Sequence, residues 1–113
     1  MNENIVHHLR DVLELEPEEI PSLYETFLRS FGECAGRLRA AVAAPDYVAI
    51  RAATHTLMGF ARNIGANDLG DAALALNAAA HAADPAACAL GVREIEELLQ
   101  RYQAEAPAPA SPA

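Results

Sequence analysis

With 113 residues and 12.0 kDa, the chain has room for one hydrophobic core and not for a nucleotide-binding fold joined to a second module. Its eight arginines stand against sixteen carboxylates, with no lysine, giving a formal net charge of −8. That balance argues against nucleic acid or an anionic membrane as a partner, because both are bound through clustered positive charge. Alanine supplies 26 residues and aromatics only six, a composition of closely packed helices rather than of a sheet.

Prolines at 17, 21, 45, 85, 107, 109 and 112 mark the boundaries, since proline is tolerated in the first turn of a helix and breaks its interior. Ahead of them, Ile5, Leu9 and Val12 predict a short amphipathic helix lying across the end of a bundle. From Ile20 to Val42, the residues Ile20, Leu23, Phe27, Phe31, Cys34, Leu38 and Ala41 recur at steps of three and four, which predicts a long helix with one buried stripe and Pro21 in its first turn. Asp46 is placed to cap a second helix from Tyr47, with Ile50, Ala53, Leu57, Phe60 and Ile64 inward and Gly65 closing it in the left-handed conformation. A third helix is expected from about Ala66 to Ala83, with Leu69, Ala72, Ala73 and Leu76 inward. Asp84-Pro85 then starts a fourth, which carries Cys88, Val92, Ile95, Leu98, Leu99 and Tyr102.

The expected fold is therefore all-α: an antiparallel four-helix bundle with a short extra N-terminal helix, spanning residues 1–104. Residues 105–113, rich in alanine and proline with nothing to bury, are expected to be a disordered tail. Cys34 and Cys88 have no CxxC or Cys/His company, so they read as small buried residues and not as metal ligands or a disulfide. The N-terminal residues lack the basic stretch and apolar run of a signal peptide. No segment approaches the roughly 18 apolar residues of a membrane span, so a soluble cytoplasmic protein is expected.

Histidine is the side chain most readily reactive near neutral pH, and the chain has four. His7, His8 and His81 fall in or near helix ends and read as surface residues. His55 lies in mid-helix, about 160° around from Leu57, and so points away from the core stripe. Val48, Arg51, Ala52, Met58, Gly59 and Arg62 share its face, which is partly apolar and partly cationic. Glycine in an exposed helix interior costs about 1 kcal/mol relative to alanine. In a chain this rich in alanine, Gly59 one turn after the histidine indicates space reserved for a group on the ring or for a partner's backbone.

The run His55-Thr56-Leu57-Met58-Gly59, followed by Asn63-Ile64-Gly65-Ala66 and then Leu69 to Leu76, resembles the histidine-containing phosphotransfer (HPt) domain, whose motif reads His-x-Leu-Lys-Gly. The motif match is ungapped from Ala52 to Asp84, and the flanking helices extend the resemblance from about Ile20 to Tyr102. Two positions depart from the family: Met58 stands where the lysine belongs, and Leu76-Asn77 replaces a Leu-Glu pair. The resemblance implies that His55 accepts a phosphoryl group from an aspartate of a response-regulator receiver domain and hands it to a second receiver, within pathways fed by hybrid histidine kinases. It also implies that Mg²⁺ resides in the receiver, leaving this chain with no metal or cofactor of its own. Arg51 and Arg62, on the His55 face, offer guanidinium groups in place of the missing lysine. Val48, Ala52, Met58 and Gly59 are expected to meet the partner, and the chain is expected to be a monomer, either a free-standing shuttle or a module of a larger kinase.

Two other classes stand beside this one. A module that binds a receiver or kinase without carrying phosphate is suggested by the missing lysine and opposed by the intact His55. A metal-binding bundle needs inward Glu-x-x-His pairs, and the sequence contains none.

Overall fold

The computed structural model describes residues 1–106, so the expected tail lies outside the described residues from 107 onward. Helix α1 (Glu3–His7) runs into a π-helical turn over His8–Val12, and after an irregular stretch come α2 (Ile20–Ala43), α3 (Tyr47–Ile64), α4 (Asn67–His81) and α5 (Pro85–Ala104). No strand occurs among the described residues. The short links between the long helices leave each little choice but to turn back on the one before it. As a result α2 and α4 each pack against both α3 and α5, closing the expected four-helix ring.

The helix ends follow the local chemistry. Asp46 Oδ1 accepts from the Ala49 amide at 3.0 Å, and Asp84 Oδ1 accepts from the Ala87 amide at 3.1 Å with Pro85 opening α5. Each such cap stabilises its helix by about 1 kcal/mol. Pro21 sits in the first turn of α2. Gly65 ends α3 at φ 77°, its amide hydrogen-bonded to the Ala61 and Arg62 carbonyls. α4 stops at His81, two residues earlier than expected, because Ala83 adopts the left-handed conformation (φ 52°) and Asp84 already belongs to the next cap.

Five of the six aromatics, Tyr24, Phe27, Phe31, Phe60 and Tyr102, gather at one end of the bundle with successive ring centroids 5.3–6.0 Å apart. Burial pushes the Tyr102 phenol up to about 12. The Tyr24 hydroxyl donates to the Tyr102 carbonyl at 3.1 Å and accepts from the Asn2 amide at 3.4 Å, fastening the N-terminal segment over this end. Ile5 and Leu9 of that segment are fully buried there. Val12, expected inward with them, is 60% exposed, because the wider π-helical turn rotates it off their stripe. Both cysteines are buried and free, and burial pushes both thiols up.

The buried stripe of α3 is Ile50, Thr54, Leu57, Ala61 and Ile64, so the expected Ala53 and Phe60 are only half-buried. The stripe faces α4, where Ala61 and Gly70 meet: a β-carbon on Gly70 would lie 3.9 Å from that of Ala61, in ordinary contact. On α4 the buried set is Leu69, Ala73, Leu76 and Ala80, with Ala72 half-buried. No helix among the described residues is long and apolar enough to cross a membrane.

Candidate functional site

The site is built on α3, an 18-residue helix held by Asp46 at one end and Gly65 at the other. With its apolar stripe committed to the core, the opposite side projects His55, which is exposed together with Arg51, Ala52, Gly59 and Arg62. Val48 is 78% exposed, a large apolar side chain left in water one turn before Arg51. Met58 differs from the rest of the face: it is half-buried and packs against the core, so a neutral thioether is anchored one turn from the histidine.

A shallow depression is lined by Val48, Arg51, Ala52, His55 and, from α4, Asn77. Arg62 lines a separate one, with Gly70, Asp71 and Leu74 among its neighbours. The structure therefore brings Arg51 to His55 and leaves Arg62 about 10 Å further along the helix axis, beside a carboxylate. Neither arginine forms an ion pair among the described residues. On its other flank the face continues through Ala52 and Thr56 into a groove of about 540 Å³ between α2 and α3, with Cys34, Ala53 and Phe60 in its wall and Arg37 also lining it.

Around Gly59 the space is open, for a β-carbon built there would meet no described residue within 4 Å. Packing among the described residues gives no reason for glycine at this position. The other histidines have different surroundings. His7 is exposed and pairs with Asp11 at 2.7 Å, and His81 is exposed at the end of α4. His8 is half-buried, with Nε2 3.1 Å from the Asn63 carbonyl.

Two residues absent from the sequence-based site belong to the same surface. Asn77 shares the His55 depression, and Leu74 is 55% exposed beside Arg62. Asn77 had a signal in the replaced Leu-Glu pair, but its place next to His55 depends on how α4 lies against α3. Leu74 had none. Beneath the surface Thr54, fully buried, donates its hydroxyl to Asn77 Oδ1 at 3.0 Å and also lies 3.0 Å from the Arg51 carbonyl.

Among the described residues, no three His, Cys, Asp or Glu side chains are grouped so as to hold a metal ion. What the face offers is an accessible imidazole, one nearby guanidinium, an amide, and apolar side chains around a bare stretch of helix. In comparison with known families, residues 22–105 match the model of the Hpt domain. No curated protein and no solved structure matches the chain.

Proposed function

The chain belongs to the Hpt domain family, and from that premise we propose that it accepts a phosphoryl group on His55 from a receiver-domain aspartate and passes it to another receiver in two-component signalling. The single observation carrying this reading is the exposure of His55 in mid-helix, opposite a fully committed core stripe and beside the unfilled space at Gly59.

In the forward step a lone pair on a neutral imidazole nitrogen attacks phosphorus in line. The N–P bond forms as the P–O bond to the aspartate breaks, and the carboxylate leaves. The cationic ring that results loses the proton on its other nitrogen to water, and the second transfer runs the same steps in reverse toward a new carboxylate. Mg²⁺ belongs to the receiver, where it neutralises charge on the moving group. This chain contributes an imidazole held in place by a rigid helix. Arg51, which lines the same depression as His55, shares the phosphoryl charge in this reading, and Arg62 acts as a more distant second cation. Val48, Ala52, Met58 and Gly59 form the surface on which the receiver sits, with short-lived contact so that the relay turns over. The protein works as a monomer in the cytoplasm.

A second reading, a module that binds a receiver or kinase without carrying phosphate, draws its support from Met58 at the lysine position. One experiment separates the two. The chain is loaded with phosphoramidate, freed of donor, mixed with purified receiver domains and Mg²⁺, and followed by intact mass. Loss of the acid-labile phosphoryl group from this chain, with its appearance on a receiver, supports the carrier; a loaded chain that discharges to no receiver, or one that cannot be loaded, supports the binding module.

A further inference from the structure

Thr54 is out of place by the standards of its own helix. The other members of the α3 stripe are Ile50, Leu57, Ala61 and Ile64, yet the position next to His55 carries a fully buried hydroxyl. Valine fills the same volume without a polar group to satisfy, and a buried hydroxyl left unpaired costs about 1–3 kcal/mol. The Arg51 carbonyl, 3.0 Å away within the same helix, would be enough to satisfy it. The hydroxyl has a single proton, however, and donates it across to α4, to Asn77 Oδ1 at 3.0 Å. Its effect falls on Asn77. With the amide oxygen turned inward to Thr54, the geminal Nδ2 is the remaining polar end of a side chain that lines the depression holding His55 and Arg51. That nitrogen carries two N–H donors and has no hydrogen bond to any described residue.

We propose that Thr54 is a positioning residue for the phospho-form: from inside the bundle it fixes the Asn77 amide so that its N–H donors meet the phosphoryl oxygens on His55, while Arg51 supplies the charge. The inference rests on the reading of His55 as the phosphoryl carrier. The division of labour suits the residues present. A dianionic phosphoryl group offers three strong acceptor oxygens, and Val48 and Ala52 have no side-chain donor to give them. No bond is made or broken by Thr54 or Asn77; they stabilise one state of a neighbouring group. The same arrangement gives the Asn77 amide one orientation before phosphorylation, so little side-chain entropy is lost when the phosphoryl group arrives.

The test compares Thr54→Val, which keeps shape and removes the hydroxyl, with Thr54→Ser, which keeps the hydroxyl. Each protein is loaded with phosphoramidate. Phospho-His55 is followed by intact mass, and the Asn77 side-chain amide by ¹H–¹⁵N NMR. Phosphorylation is expected to shift the Asn77 amide signals in the wild type and in Thr54→Ser, and to leave them nearly unmoved in Thr54→Val. The lifetime of the phospho-form should fall about three- to tenfold in Thr54→Val and in Asn77→Ala, stay within about twofold in Thr54→Ser, and fall no further when the first two changes are combined. An Asn77 amide indifferent to phosphorylation of the wild type, or a Thr54→Val protein with wild-type lifetime and amide shifts, overturns the proposal. A wild-type chain with no adduct on His55 overturns the carrier reading and this inference with it, and is told apart because it fails before any variant is compared.

Discussion

The molecule holds two histidine–glycine pairs, one at each kind of surface, and they differ in what occupies the space that the glycine leaves. At the aromatic end, Gly65 is bare because His8 lies on it: a β-carbon there would overlap the His8 Cβ and sit 2.7 Å from its Cγ, and His8 Nε2 bonds to the neighbouring Asn63 carbonyl. On the outer face of α3, Gly59 stands one turn from His55, and a β-carbon there would meet no described residue within 4 Å. The first pair is complete within the fold, with a ring, a turn and a carbonyl locking the N-terminal segment over the end of α3. The second pair is open, and in the proposed function the glycine, at a cost of about 1 kcal/mol relative to alanine, keeps room there for a partner. The same two residue types thus serve stability in one place and, in the proposed function, access in the other.

That contrast can be broken by filling each space in turn. The largest effect is expected from Gly65→Ala, which places a side chain at φ 77° and against His8; it should destabilise the protein by about 2 kcal/mol or more and release the N-terminal segment, seen as a lowered chemical-denaturation midpoint and faster amide exchange at Ile5 and Leu9. Gly59→Ala should act in the opposite sense, stabilising the fold by about 0.5–1 kcal/mol through helix propensity, while slowing transfer from a phosphorylated receiver domain more than it slows labelling by phosphoramidate. A Gly59→Ala protein that is more stable and relays at the original rate would mean that no partner uses the space. The smallest effect on stability belongs to His55→Gln, within about 0.5 kcal/mol by thermal or chemical melting, since an exposed side chain has little of the fold resting on it. A large loss there would place His55 in the structure of the bundle and not on its working face.

The completeness of the first pair also marks the limit of what the sequence carried. The ends of α3 were legible because Asp46 and Gly65 are residues whose side-chain or backbone chemistry suits one position. The end of α4 was not, because Ala83 takes the left-handed role usually given to glycine, and an alanine among alanines carries no mark. The outward direction of His55 followed from helix periodicity alone, as did the company of Arg51, Ala52, Gly59 and Arg62. The sharing of the depression between His55, Arg51 and Asn77, and the separation of Arg62 from it, depend on how closely α4 packs on α3. Ala61 and Gly70 meet at that seam, and the α3 stripe runs through Thr54 while Phe60 is only half-buried. His8 read as a surface histidine since its partner lies 55 residues away, at the Asn63 carbonyl.

The most direct test of the central claim is to map phosphoryl groups onto individual histidines after phosphoramidate treatment, by tandem mass spectrometry under conditions that spare the P–N bond. A phosphoryl group is expected on His55, absent from His55→Gln, and none on His8, whose ring is held against Gly65 and Asn63. Labelling of His8 comparable to that of His55, or an unlabelled His55 beside labelled His7 or His81, would contradict it.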